Sequence, residues 1–185
     1  MNHRRPFWTF VLIGICFAVF ILEYLFPQIE EYGWFVPAYA FLRPWTFITS
    51  IFLHADIYHI FFNMLALFIF GTFLEARVSE RNYLLIFFLS GIVGNLGYML
   101  TDFGSIIPGL GASGAIYGVM GALAALAPFA TVFVSFVPMP MIFAAFLWTL
   151  VEFLGLFQPG TIAHGAHLAG LFIGIAFGIY LRRER

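Results

Sequence analysis

The chain has 185 residues, of which 63% are hydrophobic and only 9% are charged, and its formal net charge is −1. Soluble globular proteins carry about 25% charged residues, so this chain cannot cover a folded surface with solvated side chains, which excludes a soluble domain and a disordered chain. The near-neutral charge without a basic stripe argues against nucleic acid as a partner, and the single cysteine, Cys16, excludes an internal disulfide.

Six apolar runs have about the length that a helix needs to cross a bilayer, which is roughly 20 residues. In chain order they cover residues 7–26, 55–75, 81–101, 113–127, 141–157 and 161–181. They take up nearly the whole chain, so the sequence predicts an all-α bundle of six transmembrane helices in one membrane domain over residues 1–185. No A-x-A cleavage site follows the first run, so we interpret it as a retained span rather than a signal peptide.

The arginines predict the orientation of the bundle. All eight basic residues are arginine, and only Arg43 falls in a loop on the side opposite to the others. The remaining seven precede the first span, join the second to the third, or follow the sixth, and they are Arg4, Arg5, Arg77, Arg81, Arg182, Arg183 and Arg185. Because positively charged loops stay in the cytoplasm, both termini are predicted to be cytoplasmic, as an even number of spans requires.

Two connections are unusual. Residues 27–53 form a long connection rich in tyrosine, tryptophan and phenylalanine, which is typical of short elements in the membrane interface. Residues 129–140 are apolar and partly β-branched but are interrupted by prolines, and we expect them to lie at the inner interface.

Polar residues within the spans are few, and such residues usually mark function. His59 and Asn63 lie one helical turn apart near the start of the second span, Ser113 opens the fourth, and His167 lies near the start of the sixth. With a cytoplasmic N-terminus, these three spans all run inward from the outer face, so the four side chains share the outer leaflet. We therefore predict a water-accessible cavity open to the outer face.

Small residues predict which helices lie in contact. The sixth span carries glycine at every fourth position, at Gly170, Gly174 and Gly178, and the fourth span is also rich in glycine and alanine. Such runs let two helices approach closely. We expect the fourth and sixth spans to pack together, which would bring His167 to Ser113.

This set of residues can carry out acyl transfer. A serine becomes a strong nucleophile when a neutral imidazole accepts its proton, and His167 is the candidate base for Ser113. The first N–H groups of a helix have no intrahelical partner. The backbone at Ala112 and Ser113, together with the side chains of His59 and Asn63, is therefore a candidate oxyanion hole.

Four motifs occur in a characteristic order. They are H-x4-H-x3-N at 54–63, G-x3-E-x-R at 71–77, G-x-S-G at 111–114 and A-H-x2-G at 166–170. In order and in helix placement they resemble the rhomboid intramembrane serine proteases in their minimal six-helix form. The resemblance covers essentially the whole chain and is clearest from Arg43 onward.

The resemblance implies a Ser–His dyad without a third acid, in which Ser113 is the nucleophile and His167 is the general base. His59, Asn63 and the backbone at Ser113 would stabilise the oxyanion, and Tyr117 would pack against His167. The motif residues Gly111 and Gly170 would support this arrangement.

Further expectations concern the substrate and the location. Rhomboid-like proteases cut transmembrane segments of other proteins near the outer leaflet, so the expected partners are membrane protein substrates and the lipid bilayer. The substrate would enter beside the fifth span, which makes Trp148 and Phe153 candidate gate residues. No metal or organic cofactor is expected, and a multi-pass protein of the plasma or bacterial inner membrane is predicted.

Other functions remain open beside the protease. A catalytically silent rhomboid-like protein would bind membrane segments without cutting them. A transporter would need polar groups at the midplane, whereas here they cluster near one face. His164 and His167 could be metal ligands, but the chain has no His-Glu-x-x-His run. We expect Glu152 to be an interfacial carboxylate and His54 to be structural.

Overall fold

The computed structural model describes residues 6–134, 137–158, 160 and 162–184. Arg4, Arg5 and Arg185, which contribute to the predicted orientation, lie outside the described residues, as does residue 161, the predicted start of the sixth span. The described part is mostly helical. Its helices are α1 (Trp8–Leu25), α2 (Gln28–Gly33), α3 (Thr46–Thr49), α4 (Ile57–Glu75), α5 (Glu80–Thr101), α6 (Ser113–Leu126), α7 (Met141–Gly155) and α8 (His164–Arg183).

Four of these helices, α1, α4, α5 and α8, are long and apolar enough to cross a membrane, and α6 and α7 are apolar helices of 14 and 15 residues. Large apolar side chains on their outward faces are exposed, among them Phe10, Phe61, Phe146 and Phe172. Soluble proteins rarely expose so much contiguous apolar surface. The exposed faces therefore suit contact with lipid.

The two unusual connections contain short elements. Between α1 and α4 lie α2, α3 and two 3₁₀ turns at Pro37–Tyr39 and Ser50–Phe52. Residues Thr131–Val134 (β1) pair in antiparallel register with Val137–Pro140 (β2), a hairpin that the sequence analysis did not include. The β-branched side chains of β1 favour this extended pairing, and an isolated two-stranded ribbon has the edges on which prolines are tolerated.

A buried carboxylate anchors α1 to the end of α4. The side chain of Glu75 accepts hydrogen bonds from the backbone N–H groups of Phe7, Trp8 and Thr9 at 2.8–3.0 Å and from the Thr9 hydroxyl at 2.7 Å. These donors belong to the first turn of α1, where a negative charge is favourable. Gly71, the glycine of the same motif, lies so close to Tyr83 that a Cβ there would be 2.7 Å from the Tyr83 hydroxyl.

The centre of the fold is α6, in which ten of 14 residues are buried. It contacts α8 through glycines, as the sequence predicts. A Cβ at Gly170 would lie 2.1 Å from the carbonyl oxygen of Gly114, and a Cβ at Gly174 would lie 1.8 Å from that of Gly118. No side chain fits in such spaces, so backbone packs directly against backbone. Helix α5 completes this three-helix core on the other side of Gly118, against Ser90.

Candidate active site

Ser113 is the first residue of α6, and the glycine two positions earlier shapes the approach to it. Gly111 has φ of +116°, a backbone conformation that residues with a side chain rarely adopt. Its N–H donates to the carbonyl of Ser50 at 2.9 Å. A Cβ on Gly111 would lie 2.7 Å from Nε2 of His59. Glycine at this position thus lets the His59 ring sit against the backbone that leads into Ser113.

His167 lies on the first turn of α8, directly beside Ser113. Its Nε2 is 2.7 Å from Oγ of Ser113, which is a hydrogen-bond distance. The imidazole stacks on the ring of Tyr117, with centroids 4.5 Å apart and planes 9° apart. The close contact of α6 with α8 brings the two side chains together, although they are 54 residues apart in the chain.

The carboxylate of Glu152 on α7 contacts two histidines in the first turn of α8, one of which is His167. Its Oε2 lies 2.9 Å from Nδ1 of His167 and 2.6 Å from Nδ1 of His164, and its Oε1 accepts a hydrogen bond from the Tyr117 hydroxyl. Glu152 is only 5% exposed. The expectation of an interfacial carboxylate is therefore wrong, because α7 directs this side chain into the protein.

A signal in the sequence marks the face of α7 that carries Glu152. Met141, Ala144 and Ala145 are buried, and Glu152 lies seven residues after Ala145, two helical turns further along the same face. Small residues at this spacing indicate a face that packs against other helices. Extending that face by two turns would have indicated that Glu152 points inward.

The two side-chain candidates for the oxyanion hole, His59 and Asn63, lie near the start of α4. Asp56 caps α4 by accepting from the N–H groups of Tyr58 and His59 at 2.8 Å, so His59 is held in the first helical turn. Asn63 follows one turn later, and its Nδ2 donates to the carbonyl of His59 at 2.9 Å. The amide nitrogen carries a second N–H, which leaves one donor for a ligand.

The backbone at the start of α6 is also available. The N–H groups of Ala112 and Ser113 form no hydrogen bond with any part of the chain that the structure describes. They stand at the positive end of the helix dipole, so they can bind a negatively charged oxygen.

A cavity of about 680 Å³ joins these groups. His59, Asn63, Ser113 and His167 all line it, together with Trp34 and the loop at 107–110. This loop is held in place by a pair of backbone hydrogen bonds between Phe35 and Gly109, at 2.9 and 2.7 Å. The cavity therefore brings a serine hydroxyl, an imidazole and several hydrogen-bond donors together in one space large enough for a short peptide segment.

His54 is not among the residues that line the cavity. It is buried, its Nδ1 lies 3.2 Å from the carbonyl of Phe52, and its ring meets that of His59 edge-on at 5.2 Å. Burial lowers the pKa of His54 to about 4, so it is neutral at neutral pH. Its contacts make it a support for the His59 ring.

The two candidate gate residues do not line the cavity. Trp148 packs edge-on against Phe70 of α4, with centroids 5.4 Å apart. Phe153 is exposed on α7 and lines an apolar groove together with Leu168 and Phe172 of α8. The two side chains thus lie at different contacts of α7, one towards α4 and one towards α8.

Among the residues that the structure describes, one group of side chains could hold a metal ion. The ligand atoms of Glu152, His164 and His167 lie within 4.8 Å of one another. Oε2 of Glu152 lies 2.6 Å from Nδ1 of His164 and 2.9 Å from Nδ1 of His167, and both are hydrogen-bond distances. Tetrahedral zinc with bonds of about 2.0–2.1 Å would hold its ligand atoms about 3.3 Å apart, so the present arrangement suits a hydrogen-bonded cluster better.

Comparisons with known proteins give a consistent result. The family model for the Rhomboid domain matches residues 42–184. The chain is 30% identical over 190 residues to the mitochondrial Rhomboid protein 1 of Saccharomyces cerevisiae, 34% over 145 residues to the putative rhomboid protease YdcA of Bacillus subtilis, and 27% over 180 residues to the rhomboid protease GlpG of Klebsiella pneumoniae. These matches cover 95%, 76% and 95% of this chain, and 53%, 70% and 63% of the relatives.

Proposed function

The chain belongs to the rhomboid family, and from this membership we propose that it is an intramembrane serine endopeptidase that cuts transmembrane segments of other membrane proteins. The observation that carries the proposal is the 2.7 Å contact between Nε2 of His167 and Oγ of Ser113 at the wall of the cavity. A serine in contact with a neutral imidazole, beside unbonded N–H groups, is the arrangement that acyl transfer requires.

The reaction begins with attack of Oγ of Ser113 on the carbonyl carbon of the scissile peptide bond. Nε2 of His167 accepts the hydroxyl proton and then donates it to the leaving amine. Water attacks the resulting acyl-enzyme, His167 accepts a proton from that water, and Ser113 is released with its own proton restored. The reaction is a net hydrolysis and needs no cofactor.

The negative oxygen of each tetrahedral intermediate is stabilised by the donors opposite His167. These are the backbone N–H groups of Ala112 and Ser113, the free N–H of the Asn63 side chain and the ring of His59. The short distance between Gly111 and the His59 ring supports this assignment, because it keeps the ring next to the backbone donors. Preorganised donors of this kind lower the barrier since they need no reorientation during the reaction.

The Asn63→Ala variant tests the oxyanion hole. We expect kcat to fall about 10²–10³-fold with little change in KM, because the lost donor acts mainly on charge that develops in the transition state. The measurement is cleavage of a transmembrane reporter in proteoliposomes, with Asn82→Ala, an amide on α5 outside the cavity, as control. Equal losses in both variants would contradict the assignment, as would a loss that merely follows a lower melting temperature.

The proposal also concerns placement in the membrane. Six spans with both termini in the cytoplasm would put the mouth of the cavity on the outer side, and the substrate segment would then be cut near the outer leaflet. It would enter beside α7, past Trp148 or Phe153. We propose the cell membrane as the location, whereas the yeast relative is named a mitochondrial protein.

Labelling with a fluorophosphonate probe tests the function directly. We expect the detergent-solubilised wild type to be labelled and Ser113→Ala, His167→Ala and heat-unfolded wild type to remain unlabelled, since the probe reacts only with an activated serine. Absence of labelling in folded wild type, at probe concentrations and in detergents that admit the probe to the cavity, would contradict the protease and favour a silent protein that binds membrane segments.

A further inference from the structure

Glu152 is a charged group in a place where charge is costly. It is 5% exposed on α7, an otherwise apolar helix of 15 residues. A carboxylate away from water is retained only where other groups pair with it. Here Tyr117 of α6 and His164 and His167 of α8 surround it. These two helices also carry Ser113 and His167 of the candidate active site.

The nitrogen of His167 that faces away from Ser113 is the one that needs a partner. Its Nδ1 is buried and makes no well-aligned hydrogen bond with the described residues, although Oε2 of Glu152 is only 2.9 Å away. The contact thus has the length of a hydrogen bond but not yet its direction. A small rotation of the ring or carboxylate would align it, and catalytic hydrogen bonds commonly tighten in this way when substrate binds.

Both oxygens of the carboxylate are held in place. The Tyr117 hydroxyl donates to Oε1, while His164 contacts Oε2 at 2.6 Å. The same Tyr117 ring stacks on His167, so a single side chain orients both the imidazole and the carboxylate. This double contact fixes the position of Glu152 relative to Nδ1 of His167.

We propose that Glu152 is a positioning residue that completes a Ser113–His167–Glu152 arrangement. This inference rests on the proposed function and adds a carboxylate to the dyad that the family resemblance implies. The carboxylate favours the tautomer in which Nδ1 carries the proton and Nε2 is free to accept from Ser113. It also stabilises the imidazolium that forms when His167 takes the serine proton.

The Glu152→Gln variant tests this role. Glutamine keeps the side-chain length and an acceptor for Tyr117, but it removes the charge and turns an N–H towards the imidazoles. We expect kcat to fall about 10²–10⁴-fold with KM nearly unchanged, as for a triad that loses its carboxylate.

Few other side chains lie next to Glu152 and His167. Among the described residues, Tyr117 faces Glu152 from α6, His164 and His167 face it from α8, and His59 of α4 faces His167 across the cavity. Glu80→Gln is the matched control, since it makes the same chemical change in a carboxylate that accepts from the Trp8 indole of α1 and does not line the cavity. We expect this variant to keep activity within a few-fold of wild type and to leave the His167 tautomer unchanged.

A second measurement separates this proposal from the proposed function. ¹⁵N NMR of histidine-labelled protein in detergent, assigned with the His164 and His167 variants, reports which ring nitrogen of His167 is protonated whether or not the protein cleaves anything. We expect Nδ1–H in wild type and loss of that preference in Glu152→Gln. Unchanged activity and an unchanged tautomer in Glu152→Gln would overturn the positioning role while leaving the protease intact.

The NMR result still tests the positioning contact if the wild type is inactive. A tautomer that depends on Glu152 in a protein that does not label or cleave would refute the protease but keep the positioning contact. Adding a chelator tests whether a metal ion takes part. We expect the wild-type rate to be unchanged. Loss of activity on chelation, restored by Zn²⁺, would overturn the proposal in favour of a metal held by Glu152, His164 and His167.

Discussion

Ser113→Ala and His167→Ala are each expected to abolish cleavage of a transmembrane reporter, and the double variant should be no slower than either single variant. In the proposed mechanism the two side chains act as one unit, since the serine is not activated without the base and the base has no nucleophile without the serine. Losses of about 10³–10⁶-fold are typical when such a unit is broken. The measurement is single-turnover cleavage in proteoliposomes at saturating substrate.

The control for these two variants is a measurement of their thermal stability. Both replacements are smaller than the native side chains and both sites are only half-buried, so thermal unfolding in detergent should change little. Partial losses that multiply in the double variant would contradict the shared mechanism. Independent contributions multiply in their effect on the rate, whereas removing the second member of one unit changes the rate little.

Gly170→Leu is expected to inactivate the protein by forcing α6 and α8 apart. A Cβ at this position would already lie 2.1 Å from the carbonyl oxygen of Gly114, and the obstructing atom belongs to backbone that cannot rotate away. Separation of the helices would break the contact between His167 and Ser113, which depends on the glycine interface. Both fluorophosphonate labelling and reporter cleavage should therefore be lost, together with a lower melting temperature.

Gly14→Leu on α1 is the matched control, because a Cβ there would meet no atom within 4 Å. It makes the same chemical change on an exposed helix face, and we expect activity and stability close to those of wild type. An active Gly170→Leu variant would refute the close packing of α6 and α8 as the basis of the site.

Much of the candidate site follows from local patterns in the sequence. The spacing of His59 and Asn63 puts them on one face of α4, and the position of Ser113 at the start of an apolar run puts it at a helix N-terminus. Glycine at every fourth position predicts the contact of α6 with α8, and the structure has this contact at Gly170 and Gly174. These features depend on helical periodicity and residue size, which a sequence displays directly.

Other features depend on which elements become neighbours. The carboxylate of Glu75 serves the N-terminus of α1, some 66–68 residues away in the chain, and no local pattern pairs the two. The hairpin of β1 and β2 likewise follows from pairing between its two halves, since proline-rich segments of this kind are poor strands on their own.

The sequence by itself determined the membrane class, the apolar helices and the candidate residues for acyl transfer, because these follow from composition and periodicity. Only the tertiary structure decided that Glu152 faces Tyr117, His164 and His167 rather than the membrane interface. The physical reason is that periodicity says which residues share a face, whereas the rotation and neighbours of α7 are set by packing against α6 and α8. A buried carboxylate then takes its role from the side chains that this packing brings to it.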